Sequence, residues 1–340
     1  MKIAIVTINR PSFNSALKLK NYINEFETDI YISKKTPIDE KLDESCILYD
    51  KLDDILPLAW KTYDAIICIL AMGAVVRKIA PHLKDKTTDP AVIVINLALD
   101  KIVPLLSGHL GGANELANLL THKLPNSINF ISTATDQTNT IAFEMIAKKN
   151  NWEIKNLKAL ANISNRLLNK QRVKVATYES IYNDLKKDNL ELIEFSEIDE
   201  NSVIISPFDF KTTNLHLKPK VNLGIGCNRN TSCKEIEEAV FEFLEKFKLN
   251  IEQIENIASF EAKADEIGLL EFAKKYKFEI KFFKKDEINS INIDLSKSQA
   301  TKFFGLKGVA EPSAILLSKY KELIIKKEVY NKTVTIAGAI

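Results

Sequence analysis

The chain has 340 residues, 46% apolar and 27% charged, with a formal net charge of +2. That balance is ordinary for a soluble globular protein and supplies no global field for nucleic acid or a membrane surface, so any anion site must be local. The length predicts two or three domains.

Four cysteines, Cys46, Cys68, Cys227 and Cys233, are too few and too scattered for a disulfide framework, and they lack zinc spacing. Reduced thiols in a cytoplasmic protein are expected. Residues 1–10 have an apolar centre too short for a signal peptide and read as the first strand. The longest nearly apolar run, residues 65–76, falls below the roughly 17 residues that cross a bilayer and is broken by Gly73.

Taken in order, the pattern gives a first helix after residues 9–12, with Ser12 or Asn14 as its cap, then strands at 29–33 and 45–49 and a helix at 53–60. The strand at 65–71 opens into a turn at Gly73 and a helix bearing Arg77. A charged loop with Lys84, Asp85, Lys86 and Asp89 ends at Pro90 and enters a strand at 91–95. A short strand follows at 102–106, and residues 113–120 repeat apolar positions at helical spacing. This alternation implies a parallel sheet with right-handed crossovers. A first boundary is expected near 125, then a strand at 128–132 and helices at 140–149 and 156–169, with strands at 172–177 and 203–206. Residues 211–220, polar and ended by Pro219, read as a linker. The last part opens with a strand at 221–227, followed by helices at 232–247, 262–275 and 309–319 and strands at 278–283, 323–325 and 334–337. The lysine–aromatic alternation at 246–285 reads as a solvated face, since glutamates run through it.

The densest signal is Leu106-Ser107-Gly108-His109-Leu110-Gly111-Gly112-Ala113-Asn114-Glu115-Leu116. Between a strand and a helix, such a run is a turn whose glycines let the backbone approach a ligand. The amides of the helix's first turn, with the positive end of its dipole, favour an anion there. With Gly73, Arg77, Lys86 and Asp89 at a neighbouring strand end, the two turns are expected to share one cationic cleft. The glycine spacing is not that of a dinucleotide fingerprint.

The order GAVVRKIAPHLKDKTTDPAVIVI followed by LLSGHLGGANELA resembles the CbiG family, the cobalt-precorrin-5A hydrolases of anaerobic cobalamin biosynthesis. The likeness continues in Ser132-Thr133-Ala134-Thr135-Asp136, in Leu223-Gly224-Ile225-Gly226-Cys227, in Ala258-Ser259 with Lys263 and Asp265-Glu266, and in Gly308-Val309-Ala310-Glu311. It implies an α/β protein with an N-terminal parallel-sheet domain (1–125), a middle α/β region (126–212) and a small C-terminal α/β domain of CobE type (220–340). The implied reaction is that of a carbon–carbon bond hydrolase, opening the substrate's δ-lactone and releasing acetaldehyde to give cobalt-precorrin-5B. The alternative is a tetrapyrrole carrier that binds without converting. A sugar-phosphate or nucleotide enzyme would rest on the glycine turns alone.

The substrate would be a polycarboxylate macrocycle that holds its own cobalt, so neither a cofactor nor a protein metal site is required. No nucleic acid or membrane partner is expected, and a homodimer is admissible. His109 is the expected proton-transfer group, because imidazole titrates near neutral pH, unless it only bonds a substrate carboxylate. Glu311 or Asp89 could orient it or serve as base, and Ser107 is either a nucleophile or a positioning hydroxyl. Arg77, Lys86, Arg229, Lys263 and the amides of Gly111 and Gly112 are the expected substrate contacts, with Gly73, Gly108, Asn114, Thr135 and Gly226 lining the site; Asn114 and the two glycine amides would also serve the oxyanion. Cys227 reads as a packed thiol.

Overall fold

The computed structural model describes residues 1–38, 42–85, 88–133, 140–185, 189–292, 296 and 305–340, in two compact units, Met1–Asn139 and Thr140–Ile340.

The first unit is a seven-stranded sheet in the order β3-β2-β1-β4-β5-β6-β7. Its strands are β1 (Lys2–Thr7), β2 (Glu27–Ser33), β3 (Cys46–Tyr49), β4 (Ala65–Cys68), β5 (Ala91–Ile95), β6 (Lys101–Leu106) and β7 (Ile128–Asn129). All neighbours are parallel except β5 and β6, which run antiparallel. Alternate strand residues serve opposite faces. Ile3, Ile5, Ile67 and Ile93 pack under α1 (Arg10–Tyr22) and α4 (Ala113–Lys123). Ala4, Val6, Ile66 and Val92 pack under α2 (Leu52–Thr62) and α3 (Met72–Ile79). Burial on both faces explains why the strands read as unbroken apolar runs. The cap of α1 is neither Ser12 nor Asn14 but Asn9, whose side chain accepts from the Ser12 amide at 3.0 Å. Strand β7 belongs to this sheet, beyond the boundary expected at 125.

The second unit carries two five-stranded sheets. The first has the order β10-β9-β11-β12-β8, from β8 (Glu153–Lys155), β9 (Val173–Ala176), β10 (Leu190–Ile193), β11 (Val203–Ile205) and β12 (His216–Lys218). With it go α5 (Phe143–Lys149), α6 (Leu160–Leu168) and α7 (Glu179–Asp184). The second sheet has the order β15-β14-β13-β17-β16, from β13 (Val221–Cys227), β14 (Ile254–Phe260), β15 (Ile280–Phe283), β16 (Leu323–Tyr330) and β17 (Val334–Ala339). Its helices are α8 (Cys233–Phe247), α9 (Ile267–Tyr276), α10 (Lys285–Ser290) and α11 (Ala310–Leu317). One apolar cluster runs through both sheets, from Val175 and Leu217 to Leu223 and Phe243. The Gln253 side chain also donates to the Pro207 carbonyl at 2.9 Å.

Residues 211–220, expected as a linker, instead contain the buried strand β12. Its polar side chains are satisfied from afar: Lys218 reaches Asp209 at 3.0 Å, and His216 Nε2 lies 2.8 Å from the Ser206 carbonyl. Burial lowers the imidazole of His216 below its ordinary value of 6.5. Between the lowered value and 6.5 the unfolded chain takes up the proton first, so stability is lost as the pH falls below about 6.5, by up to about 1.4 kcal/mol per pH unit. Urea unfolding at pH 7 and pH 5 should show this fall, and His216→Gln, which does not titrate, should show a shallower one. Equal slopes would remove His216 from the account.

Candidate active site

The direction of β6 decides where the glycine-rich turn lies. In the β5–β6 pair Val92 faces Leu106 and Ile95 faces Ile102, so Ser107 leaves the sheet at the edge where β5 begins. Strand β7 runs parallel to β6 and reaches the same edge, where the Phe130 amide donates to Ile102. The β6–α4 turn and the segment after β7 thus converge at the carboxyl ends of a parallel pair, the place where open α/β sheets collect ligands.

The turn is closed by its own backbone. The amides of Gly112, Ala113 and Asn114 donate to the carbonyls of His109, Ser107 and Gly108 at 3.0–3.1 Å. Gly112, at φ 86°, takes the left-handed conformation that starts α4. A Cβ on Gly111 would stand 2.3 Å from the Ser107 Cβ, and one on Gly108 would meet the Asn114 amide group at 2.9 Å. The expectation that the Gly112 amide faces a ligand is therefore corrected, because it is engaged inside the turn. Among the described residues nothing accepts from the Gly111 amide.

Ser107 is itself left-handed, at φ 56°, and its hydroxyl donates to the Asp89 carbonyl at 2.9 Å. That bond ties the turn to the loop before β5 and directs the hydroxyl proton to a backbone acceptor, which favours positioning over nucleophilic attack. Asp89 is 6% exposed. Its carboxylate accepts from the Lys84 amide at 3.0 Å and from the Trp60 indole at 3.3 Å. Across the turn, the buried Asn114 donates from Nδ2 to the Thr133 hydroxyl at 3.1 Å. His109 sits half-buried at the crest. Trp60 and Thr133 were absent from the sequence-derived site. Trp60 meets Asp89 across 29 residues with no motif linking them, and Thr133 stands in a block of the resemblance that assigns it no role.

The other expected members lie elsewhere. Gly73 follows the carboxyl end of β4, and the Arg77 guanidinium folds back to the Gly73 carbonyl at 2.9 Å. Because β6 is antiparallel, this pair stands at the opposite edge of the sheet from His109, and the two turns do not build one cleft. Arg77 has no carboxylate partner among the described residues. Lys86 and Thr135 lie outside the described residues.

In the second unit, Arg229 is ion-paired with Asp265 and Glu266 and donates to the Ala262 carbonyl at 2.8 Å. Lys263 pairs with Glu266 at 3.3 Å. Both cations, expected to hold substrate carboxylates, are thus neutralised within the protein. The Gly226 carbonyl accepts from Thr335 in the β13–β17 pair, so this glycine serves sheet packing. Burial pushes the Cys227 thiol up to about 11, which keeps it protonated and inert as a nucleophile.

Glu311, 2% exposed, accepts from the Ser296 amide and hydroxyl, each at 2.7 Å, and from the Lys327 amide at 3.0 Å. A carboxylate held by three donors is an anchor between α11 and β16, a structural role that stands beside the expected one as base. Glu311→Ala should cost about 2–3 kcal/mol in denaturant unfolding, by orphaning those donors. The folded variant should then keep whatever catalytic rate the parent has. A variant of parental stability with lost turnover would establish the catalytic role.

Three family models match the chain in succession: the cobalamin synthesis G N-terminal region at residues 54–136, the cobalamin biosynthesis central region at 141–219, and the cobalamin synthesis G C-terminus at 221–339. The cobalt-precorrin-5A hydrolase of Priestia megaterium is 30% identical, over 98% of this chain and 94% of its own. That of Salmonella typhimurium is 30% identical, over 77% and 78%. Among solved structures, a cobalamin biosynthesis protein G homolog from Sulfolobus solfataricus aligns over 99% of this chain and 96% of its own, at 25% identity and a TM-score of 0.40. CobE, a protein of the cobalamin pathway, aligns over 35% of this chain and 91% of its own, at 21% identity and a TM-score of 0.33. No helix among the described residues is long and apolar enough to cross a membrane. With three successive models and a relative matched from end to end, the chain belongs to the CbiG family, that of the cobalt-precorrin-5A hydrolases.

Proposed function

We propose that the protein hydrolyses cobalt-precorrin-5A, opening its δ-lactone and releasing the two-carbon unit as acetaldehyde to leave cobalt-precorrin-5B. The observation that carries this reading is the end-to-end match to a cobalt-precorrin-5A hydrolase. The turn at 107–114 supplies local chemistry compatible with it. The reaction consumes one water: water adds to the lactone carbonyl, the acyl–oxygen bond breaks to give a carboxylate, and the freed oxygen becomes the aldehyde as the carbon–carbon bond cleaves. The leaving carbon then takes a proton.

Those steps need a proton-transfer group and donors for oxyanion charge. His109 is the proton-transfer group in this reading. The Gly111 amide faces the developing oxyanion, and Asn114, bonded to Thr133, stands beside it. Ser107 and Asp89 set the turn's position. The macrocycle carries its own cobalt, so the chemistry calls for no protein-bound cofactor.

The test is anaerobic incubation of purified protein with cobalt-precorrin-5A, measuring acetaldehyde with a coupled alcohol dehydrogenase and the macrocycle by mass. One equivalent of acetaldehyde per macrocycle is expected. Folded protein that binds the macrocycle for hours and releases none would make it a carrier.

A further inference from the structure

The second unit holds a cavity of ≈ 280 Å³ that shares no residue with the turn at 107–114. Its walls come from the segment after α5, from the β12–β13 connection, and from the segment after α11. One wall is aromatic: the rings of Trp152 and Tyr320 stand 6.2 Å apart at 52°. Tyr320 is fixed there by Lys319, whose ammonium donates to its hydroxyl at 3.0 Å, to Asn150 Oδ1 at 2.9 Å and to Asp184 at 3.1 Å.

Two further lysines line the cavity, Lys149 and Lys220, and neither has a hydrogen-bonded carboxylate partner among the described residues. Lys149 acts on Asp184 through space, but Lys319 already bonds that carboxylate. The carboxylate in the lining, Glu255, accepts from the buried Asn222 at 2.9 Å. An anion held by both lysines would gain two charge-assisted bonds. An aromatic wall favours an occupant with an apolar ring, through stacking on one of the two rings and burial against the other. The volume lies just below that of ligand pockets for drug-sized molecules, which run from roughly 300 to 1,000 Å³. It excludes a macrocycle with many carboxylate arms.

We propose that this cavity is a second binding site, for a small flat molecule bearing one carboxylate or phosphate. The anion is held by Lys149 and Lys220, and the plane lies against the Trp152 indole, with Tyr320 beside it. The full chain is titrated with phenyl phosphate, benzoate and inorganic phosphate while the Trp152 indole N–H is followed by NMR, assigned by its loss in Trp152→Phe. A saturable shift is expected with an aromatic anion, and the tighter of benzoate and phenyl phosphate assigns the acid. Inorganic phosphate should bind at least tenfold more weakly. Lys149→Gln combined with Lys220→Gln should weaken binding tenfold or more while the rest of the spectrum, including the Trp60 indole, stays unchanged. Lys211→Gln, outside the cavity, should leave affinity as it is. A shift that grows linearly without saturating, inorganic phosphate binding as tightly as phenyl phosphate, or equal affinity in the double variant overturns the proposal.

Discussion

Replacing His109 by alanine should lower turnover of cobalt-precorrin-5A about a hundredfold or more, with affinity for the macrocycle nearly unchanged. The turn that carries His109 is held by backbone bonds. It is closed by the His109 carbonyl, the Ser107 and Gly108 carbonyls, and the left-handed Gly112, all of which the variant keeps. A loss of rate therefore reports chemistry at the side chain. Comparing kcat with KM separates the two roles open to this residue: proton transfer lowers kcat, whereas a bond to a substrate carboxylate lowers affinity. Free imidazole added to His109→Ala should recover part of the rate, because a small base can enter the space the ring leaves. An intact maximal rate with weakened binding would overturn the acid/base assignment and leave His109 as a carboxylate contact.

Much of the first unit was legible because its physics is local. Apolar runs of strand length, glycine turns and helical spacing all lie within a few residues of one another, and the strand–turn–helix at 102–120 stands where the pattern places it. The orientation of β6 was also written in the chain, though in a loop length. Only residues 96–100 separate β5 from β6, and a parallel return needs a crossover of a dozen residues or more. Asn96 closes that hairpin by accepting from the amides of Asp100 and Lys101 at 3.1 and 3.0 Å. That hairpin sends Gly73 and His109 to opposite edges.

What could not be read is what rests on remote partners. Arg229 looks like an anion ligand until Asp265, 36 residues later, is found on it. Lys218 looks exposed until Asp209 accounts for its burial. Charge in a sequence signals binding only while its counter-charge is unknown.

The glycines of Leu223-Gly224-Ile225-Gly226 show the same ambiguity, and two substitutions separate its readings. In Gly224→Ala the new Cβ would stand 1.8 Å from the Ala310 carbonyl oxygen and 2.6 Å from the Ala314 amide. Both are backbone atoms of α11, which lies directly on β13, and no side-chain rotation relieves such a clash. The helix must lift, opening the layer in which Ala310, Ala314, Ala337 and Ala339 are buried together. We expect a loss of about 3 kcal/mol or more, at the upper end for overpacking. At 2–4 °C per kcal/mol for a domain of this size, that is a fall in Tm of roughly 6–12 °C. In Gly226→Ala the nearest atom is the Thr335 hydroxyl at 2.6 Å, the end of a side chain that can turn away, and the expected cost is about 1 kcal/mol. Thermal unfolding of the two variants measures the difference. If instead both keep parental stability and lose affinity for the macrocycle, these glycines serve a ligand's approach and the packing account of β13 fails.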